Sequence, residues 1–163
     1  MLNEKIQDAL NEQIKNELYS AYLYLSMSAY LEAQDLSGMA KWMRTHNEEE
    51  VEHAMKIFDF VNERGGRVTL GAIDAPPADF ESPLALFEEA LVHEKKVSAM
   101  ITDLYELAME EKDYPTQIML QWFVTEQVEE EDLFGKVCEM VKRTGGKEWH
   151  LLALDNELGK REE

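Results

Sequence analysis

The stretch Asn47-Glu48-Glu49-Glu50-Val51-Glu52-His53-Ala54 decides how the rest of the chain reads. In a helix, residues three apart share a face, so Glu50 and His53 point the same way. That face is apolar: Met39, Met43, His46, Glu50, His53, Ile57 and Phe60 recur at helical spacing, so a carboxylate and an imidazole interrupt a core stripe. An unpaired buried carboxylate costs several kcal/mol, so such a group needs a partner or a metal. Matching groups are therefore expected on the other helices.

Three further stripes supply them. From about 3 to 33, Ile6, Leu10, Ile14, Glu17, Ala21, Tyr24 and Ser28 mark a long amphipathic helix with Glu17 inside its apolar face. A second helix, about 37–64, carries Glu50 and His53; Asp35 or Ser37 is available to cap its start, and Gly65-Gly66 to stop it. Ser82-Pro83 opens a third helix, about 82–112, whose stripe of Phe87, Leu91, Glu94, Val97, Ile101, Leu104 and Ala108 contains Glu94. Asp113-Tyr114-Pro115 starts a fourth, about 114–144, with Leu120, Phe123, Gln127, Glu130, Phe134, Val137 and Val141. A short fifth segment, about 147–158, has Leu151, Leu154 and Leu158 at helical spacing and precedes a charged tail, Gly159 to Glu163, expected to fray.

The fold expected is all-α: a four-helix bundle of two antiparallel hairpins plus a short fifth helix, one domain over residues 1–163. Between the hairpins, residues 65–81 lack helical period and contain Pro76-Pro77. Fully extended, such a loop spans roughly 55 Å, enough to cross a helix roughly 40 Å long and set the second and third helices parallel.

Helical rise then tests whether the polar core residues meet. Glu17, Glu50 and His53 lie roughly 20–24 Å from the first hairpin turn, and Glu94 and Glu130 roughly 24–27 Å from the second. Parallel second and third helices bring Glu17, Glu50, His53, Glu94 and Glu130 to one level with Gln127. Hard oxygen donors with one nitrogen suit a pair of divalent first-row ions such as Fe(II), Mn(II) or Zn(II).

Composition narrows the function. Asp and Glu number 34 against 16 Lys and Arg, a net charge of −18, which repels phosphate backbones and anionic membranes and favours cations. Nucleic acid and membrane are not expected as partners. Cys138 is the only cysteine, no apolar run approaches a membrane span of roughly 20 residues, and the charged N-terminus does not resemble a signal peptide. A cytoplasmic protein is expected, with Cys138 a small buried hydrophobe.

Glu17-Leu18-Tyr19-Ser20-Ala21-Tyr22-Leu23-Tyr24, Glu49-Glu50-Val51-Glu52-His53-Ala54 and Trp122-Phe123-Val124-Thr125-Glu126-Gln127-Val128-Glu129-Glu130-Glu131 together resemble the non-haem ferritins of bacteria and archaea, over essentially the whole chain. The resemblance implies one iron position at Glu17, Glu50 and His53, and a second at Glu94 and Glu130 with Glu50 bridging and Gln127 nearby. It also implies a third towards the interior, at Glu49, Glu126 and Glu129 with Glu130 shared. Tyr24 and Trp122 match the aromatic pair beside that centre, where the tyrosine supplies an electron; core packing accounts equally for their spacing. The fourth helix lacks the second histidine of bacterioferritin, and Val51 stands where bacterioferritin has its haem methionine, so no haem is expected.

By this resemblance the chain is a ferroxidase that oxidises Fe(II) with dioxygen or peroxide and stores ferric oxide-hydroxide in a homo-oligomeric 24-chain cage. The alternative is a di-iron enzyme handling oxygen or peroxide without storing mineral, for which the sequence shows no electron-transfer module.

Overall fold

The computed structural model describes residues 1–160. Arg161 to Glu163, and with them most of the tail expected to fray, lie outside the described residues. The helices are α1 (Glu4–Ala33), α2 (Ser37–Glu63), α3 (Pro83–Glu110), α4 (Tyr114–Arg143) and α5 (Glu148–Leu158). No strand occurs among the described residues.

Local chemistry sets most of the boundaries. Asn3 accepts a hydrogen bond from the Lys5 amide at the start of α1, Ser82 from Ala85 at α3, and Asp113 from Thr116 at α4, each satisfying an otherwise orphaned first-turn donor. Helix α3 stops at Glu110, short of the expected 112, because Lys112 turns left-handed at φ 55°. Gly65 ends α2 at φ 71°, a conformation that costs a residue without Cβ nothing.

The start of α2 differs from expectation. Neither Asp35 nor Ser37 caps it: Asp35 takes the left-handed turn position (φ 58°), and the boundary residue Leu36 makes no side-chain cap bond. The cap comes from α5, where Asp155 Oδ1 accepts the Met39 amide at 2.7 Å. Gly38 permits this approach, since a Cβ there would lie 1.8 Å from the Asp155 carbonyl oxygen. The Gly38→Ala variant is therefore expected to push α5 off α2 at a cost of about 1–3 kcal/mol, typical of overpacking. Hydrogen exchange should show amides of α5 losing protection while those of α3 keep theirs.

Direction follows from contacts between helix ends. Asn3 Nδ2 donates to Glu111 Oε2 at 2.9 Å, joining the start of α1 to the end of α3. Arg64 donates from Nη1 and Nη2 to the two Asp113 oxygens at 2.8 and 3.2 Å, joining the end of α2 to the start of α4. Helices α1 and α3 are thus antiparallel, as are α2 and α4, and the chain between α2 and α3 makes the long crossover. This is the expected four-helix bundle of two hairpins joined by a long crossover, with a short C-terminal helix.

The core falls into two apolar bodies. One holds Leu23, Tyr24, Met27, Leu31, Met39, Trp42, Phe87 and Phe134. The other holds Ile6, Leu10, Ile14, Ile57, Val61, Val97, Ile101, Leu104, Leu120 and Phe123. Glu17 follows Ile14 and precedes Ala21 on α1, and on α4 Gln127 and Glu130 lie between Phe123 and Phe134. A polar layer therefore crosses the waist of the bundle between two packed ends, held in place by both.

Candidate metal centre

Four helices contribute to that layer, each from the turn where its apolar stripe is interrupted. Relative exposures are 1% for Glu17, 2% for Glu50, 5% for His53, 0% for Glu94, 5% for Gln127 and 4% for Glu130. Glu17, Glu50 and His53 form a group whose donor atoms lie within 4.8 Å of one another. His53 Nδ1 is 3.3 Å from Glu50 Oε2 and 4.0 Å from Glu17 Oε2.

Glu94 joins through its neighbours. Tyr24 donates its hydroxyl to Glu94 Oε1 in a short hydrogen bond. Gln127 Nε2 lies 3.1 Å from Glu94 Oε2, 3.2 Å from the Glu94 carbonyl oxygen and 3.1 Å from Ser98 Oγ, placing the amide as a donor that orients Glu94. On α1, Gln13 Nε2 holds Glu17 Oε1 at 2.9 Å. These bonds leave Glu17 Oε2 and Glu130 Oε2 buried with no hydrogen-bond partner among the described residues. An acceptor stripped of water without a donor is costly, and a divalent cation held at each of these oxygens removes that cost.

The residues expected further in divide. Glu49 Oε2 lies 3.3 Å from His46 Nδ1, and Glu130 Oε2 lies 3.4 Å from the same atom; the three residues form a second group within 4.8 Å. Glu126 Oε1 is 3.7 Å from His53 Nε2. Glu129 is exposed and belongs to neither group. Trp122 is partly exposed and meets the His53 ring edge-on at 5.3 Å, with Lys56 Nζ 3.9 Å above its own ring. Tyr24 is fully buried, packed on Phe134 at 5.4 Å.

His46 was not singled out from the sequence. Its signal was available: with Glu49 it makes a second pair three apart, directly ahead of Glu50 and His53. In the sequence it stands in the apolar stripe with Met39 and Met43, where an imidazole reads as core.

Burial and mutual repulsion load the centre with protons. Burial, then the charges of Glu17 and Glu94, push the Glu50 carboxyl well above its ordinary range. Burial raises Glu94 to about 7 although the bonds from Tyr24 and Gln127 pull it down. Burial, then Glu94, Glu49 and Glu126, push Glu130 up to about 9. Burial lowers His53 despite Glu17 and Glu126 beside it, which keeps its imidazole neutral and able to ligate.

A stability profile follows. The folded chain holds protons on Glu94 and Glu130 that the unfolded chain, with carboxyls near 4.5, releases. Their contribution is therefore full below about 4.5 and is lost as pH rises through about 7 and then about 9. The melting temperature of chelator-treated protein should fall over that interval, and saturating divalent metal should flatten the decline. A melting temperature that rises with pH in the metal-free protein would contradict this charge assignment.

The ferritin-like domain family model matches residues 7–144. Among curated proteins, the chain is 41% identical over 161 residues to a bacterial non-heme ferritin of Bacteroides fragilis, covering 99% of this chain and 100% of that one. It is 38% identical over 159 residues to a probable bacterial non-heme ferritin-like protein of Haemophilus influenzae, covering 98% and 96%. Among solved structures, an open pore ferritin from the hyperthermophilic archaeon Archaeoglobus fulgidus superposes with a TM-score of 0.98 at 49% identity, over 99% of this chain and 100% of that one.

Proposed function

The chain belongs to the ferritin-like domain family, and on that premise we propose that it is an iron-storage protein that oxidises Fe(II) at the waist of its bundle and keeps the ferric product inside a hollow shell of its own copies. The observation that carries this reading is the convergence of Glu17, Glu50, His53, Glu94 and Glu130, all buried, at one level between two apolar cores.

Glu17, Glu50 and His53 would hold one ferrous ion, Glu94 and Glu130 the second, with Glu50 facing both. Glu49, Glu126 and Glu129, with Glu130 shared, would serve iron on its way inward. Iron here is substrate and cargo. Two ferrous ions give one electron each, and dioxygen takes both together with two protons to reach hydrogen peroxide. Carboxylates favour this direction because the trivalent product gains more from anionic ligands than the divalent ion does.

The chain's own groups prepare that step. Glu50, Glu94 and Glu130 give up protons as cations arrive, since a ligating carboxylate must be ionised. Gln127 and Tyr24 hold Glu94 from two sides, and Gln13 holds Glu17, so the donors are aimed before metal enters. Packing around the layer keeps water out and strengthens each electrostatic contact. Where a third ferrous ion at the inner position also gives an electron, the Tyr24 hydroxyl, against Glu94, can pass its proton to that carboxylate as the ring gives dioxygen the fourth electron, which with four protons in all completes its reduction to two waters in place of peroxide. The Tyr24→Phe variant is therefore expected to bind two ferrous ions per chain as before and to leave more partly reduced oxygen in solution, measured as peroxide released per iron oxidised.

A shell of 24 chains fits the relatives' class, and a strongly acidic chain, net charge −18, makes its surfaces a sink for cations. No helix among the described residues is long and apolar enough to cross a membrane, and cytoplasmic residence fits iron storage. The test is stoichiometric: ferrous ion added in air to apo-protein should be oxidised in a fast phase that saturates near two ions per chain. A rate no faster than protein-free buffer would defeat the reading.

A further inference from the structure

Two donor groups on α2 stand back to back in mirrored order. Reading His46-Asn47-Glu48-Glu49-Glu50-Val51-Glu52-His53, the second half offers Glu then His three apart, and the first half offers His then Glu three apart. Neighbouring helix positions differ by roughly 100° of rotation, so Glu49 and Glu50 serve different sides. Each pair meets one carboxylate from another helix: Glu17 of α1 completes Glu50 and His53, and Glu130 of α4 completes Glu49 and His46. Both triads have the same composition, and in each the donor atoms lie within 4.8 Å of one another.

The imidazole of His46 is held for this use. It is 0% exposed, with ring centroids of Trp42 at 4.2 Å, Phe134 at 4.6 Å and Tyr24 at 6.3 Å. Those rings pack around the imidazole and restrict its orientation. Nδ1 faces Glu49 Oε2 and Glu130 Oε2.

We propose that His46 is a direct metal ligand through Nδ1, making the inner cation position a mixed site of one imidazole and the carboxylates of Glu49 and Glu130. This rests on the iron-handling reading and deepens it. Resemblance alone implies an inner position of carboxylates only, drawing on Glu129, which is exposed here. A nitrogen donor shifts preference from Mg(II) and Ca(II) towards Fe(II), Co(II) and Zn(II). Glu130 reaches this group and also feels the charge of Glu94, so one side chain couples the oxidation centre to the way inward.

Zinc alone, added to the full-length assembled protein, tests this without any oxidation chemistry. Anomalous difference maps at the zinc edge should show, besides metal at Glu17, Glu50 and His53, a peak about 2.0–2.1 Å from His46 Nδ1, a normal zinc–nitrogen distance. In His46→Gln the equilibrium count should lose that ion, its affinity falling tenfold or more, while zinc at Glu17, Glu50 and His53 stays. An inner peak bonded only to carboxylates, or an unchanged count in His46→Gln, overturns the proposal and leaves the oxidation centre standing. Absence of zinc from both groups overturns the underlying reading as well. If His46→Gln fails to assemble, the wild-type map alone decides.

Discussion

The Glu50→Ala variant is expected to lose the fast phase of ferrous oxidation almost entirely, with the rate falling by about two orders of magnitude or more, equivalent to at least about 2.7 kcal/mol of barrier. In the proposed arrangement Glu50 is the carboxylate that the two ferrous positions share: His53 Nδ1 lies 3.3 Å from it, and the charges of Glu17, Glu94 and Glu130 all act on it. Removing it deprives both positions of a shared anion, so coupled two-electron delivery to dioxygen fails before any loss of fold. Glu52 on the same helix is exposed and makes the matched control. Stopped-flow absorbance of the ferric product should show Glu52→Ala at the wild-type rate and Glu50→Ala near protein-free buffer. Equal rates in the two variants would remove Glu50 from the centre.

The second large effect runs in opposite directions for stability and function. Glu130 carries a carboxyl raised to about 9 by burial and by Glu94, Glu49 and Glu126, and its Oε2 has no hydrogen-bond partner among the described residues. A neutral amide of the same shape removes the repulsion, so Glu130→Gln is expected to stabilise the metal-free protein at alkaline pH by about 0.5–2 kcal/mol, the usual yield when a functional group held against its preference is relieved. The same change takes a carboxylate from the His46 and Glu49 group and from the proposed second ferrous position, and should slow oxidation and reduce divalent-ion binding together. Paired measurements, melting temperature with chelator and metal count without it, check both halves. A Glu130→Gln protein that is less stable at every pH would show that the carboxylate is satisfied in a way the geometry does not display.

The meeting of Glu17, Glu50, His53, Glu94 and Glu130 was legible because helical rise is fixed. Residues at equal distances from a hairpin turn must lie at equal heights, and apolar stripes fix which way they face. What escaped were features that depend on contacts between helices. Asp155 caps α2 from more than a hundred residues away, and nothing local to Ser37 announces it. Gln127 could be placed on the core face of α4, but only its approach to Ser98 and the Glu94 backbone reveals that its amide donates to a carboxylate. His46 escaped because an imidazole in an apolar stripe looks the same in sequence whether it packs or ligates, and its contact with Phe134 exists only once the helices pack. Glu129, a member of the inner group by resemblance, is exposed and belongs to neither donor group.

Storage is the central claim, and the iron held per particle tests it most directly. Ferrous salt should be titrated in air into the purified protein, and the iron that travels with protein on size exclusion should be counted per chain. The account predicts retention far beyond the roughly two or three ions per chain that the donor groups themselves could bind, all of it moving with a large assembly. Retention that stops at about two per chain, with further iron precipitating, would leave a di-iron oxidation centre and contradict storage.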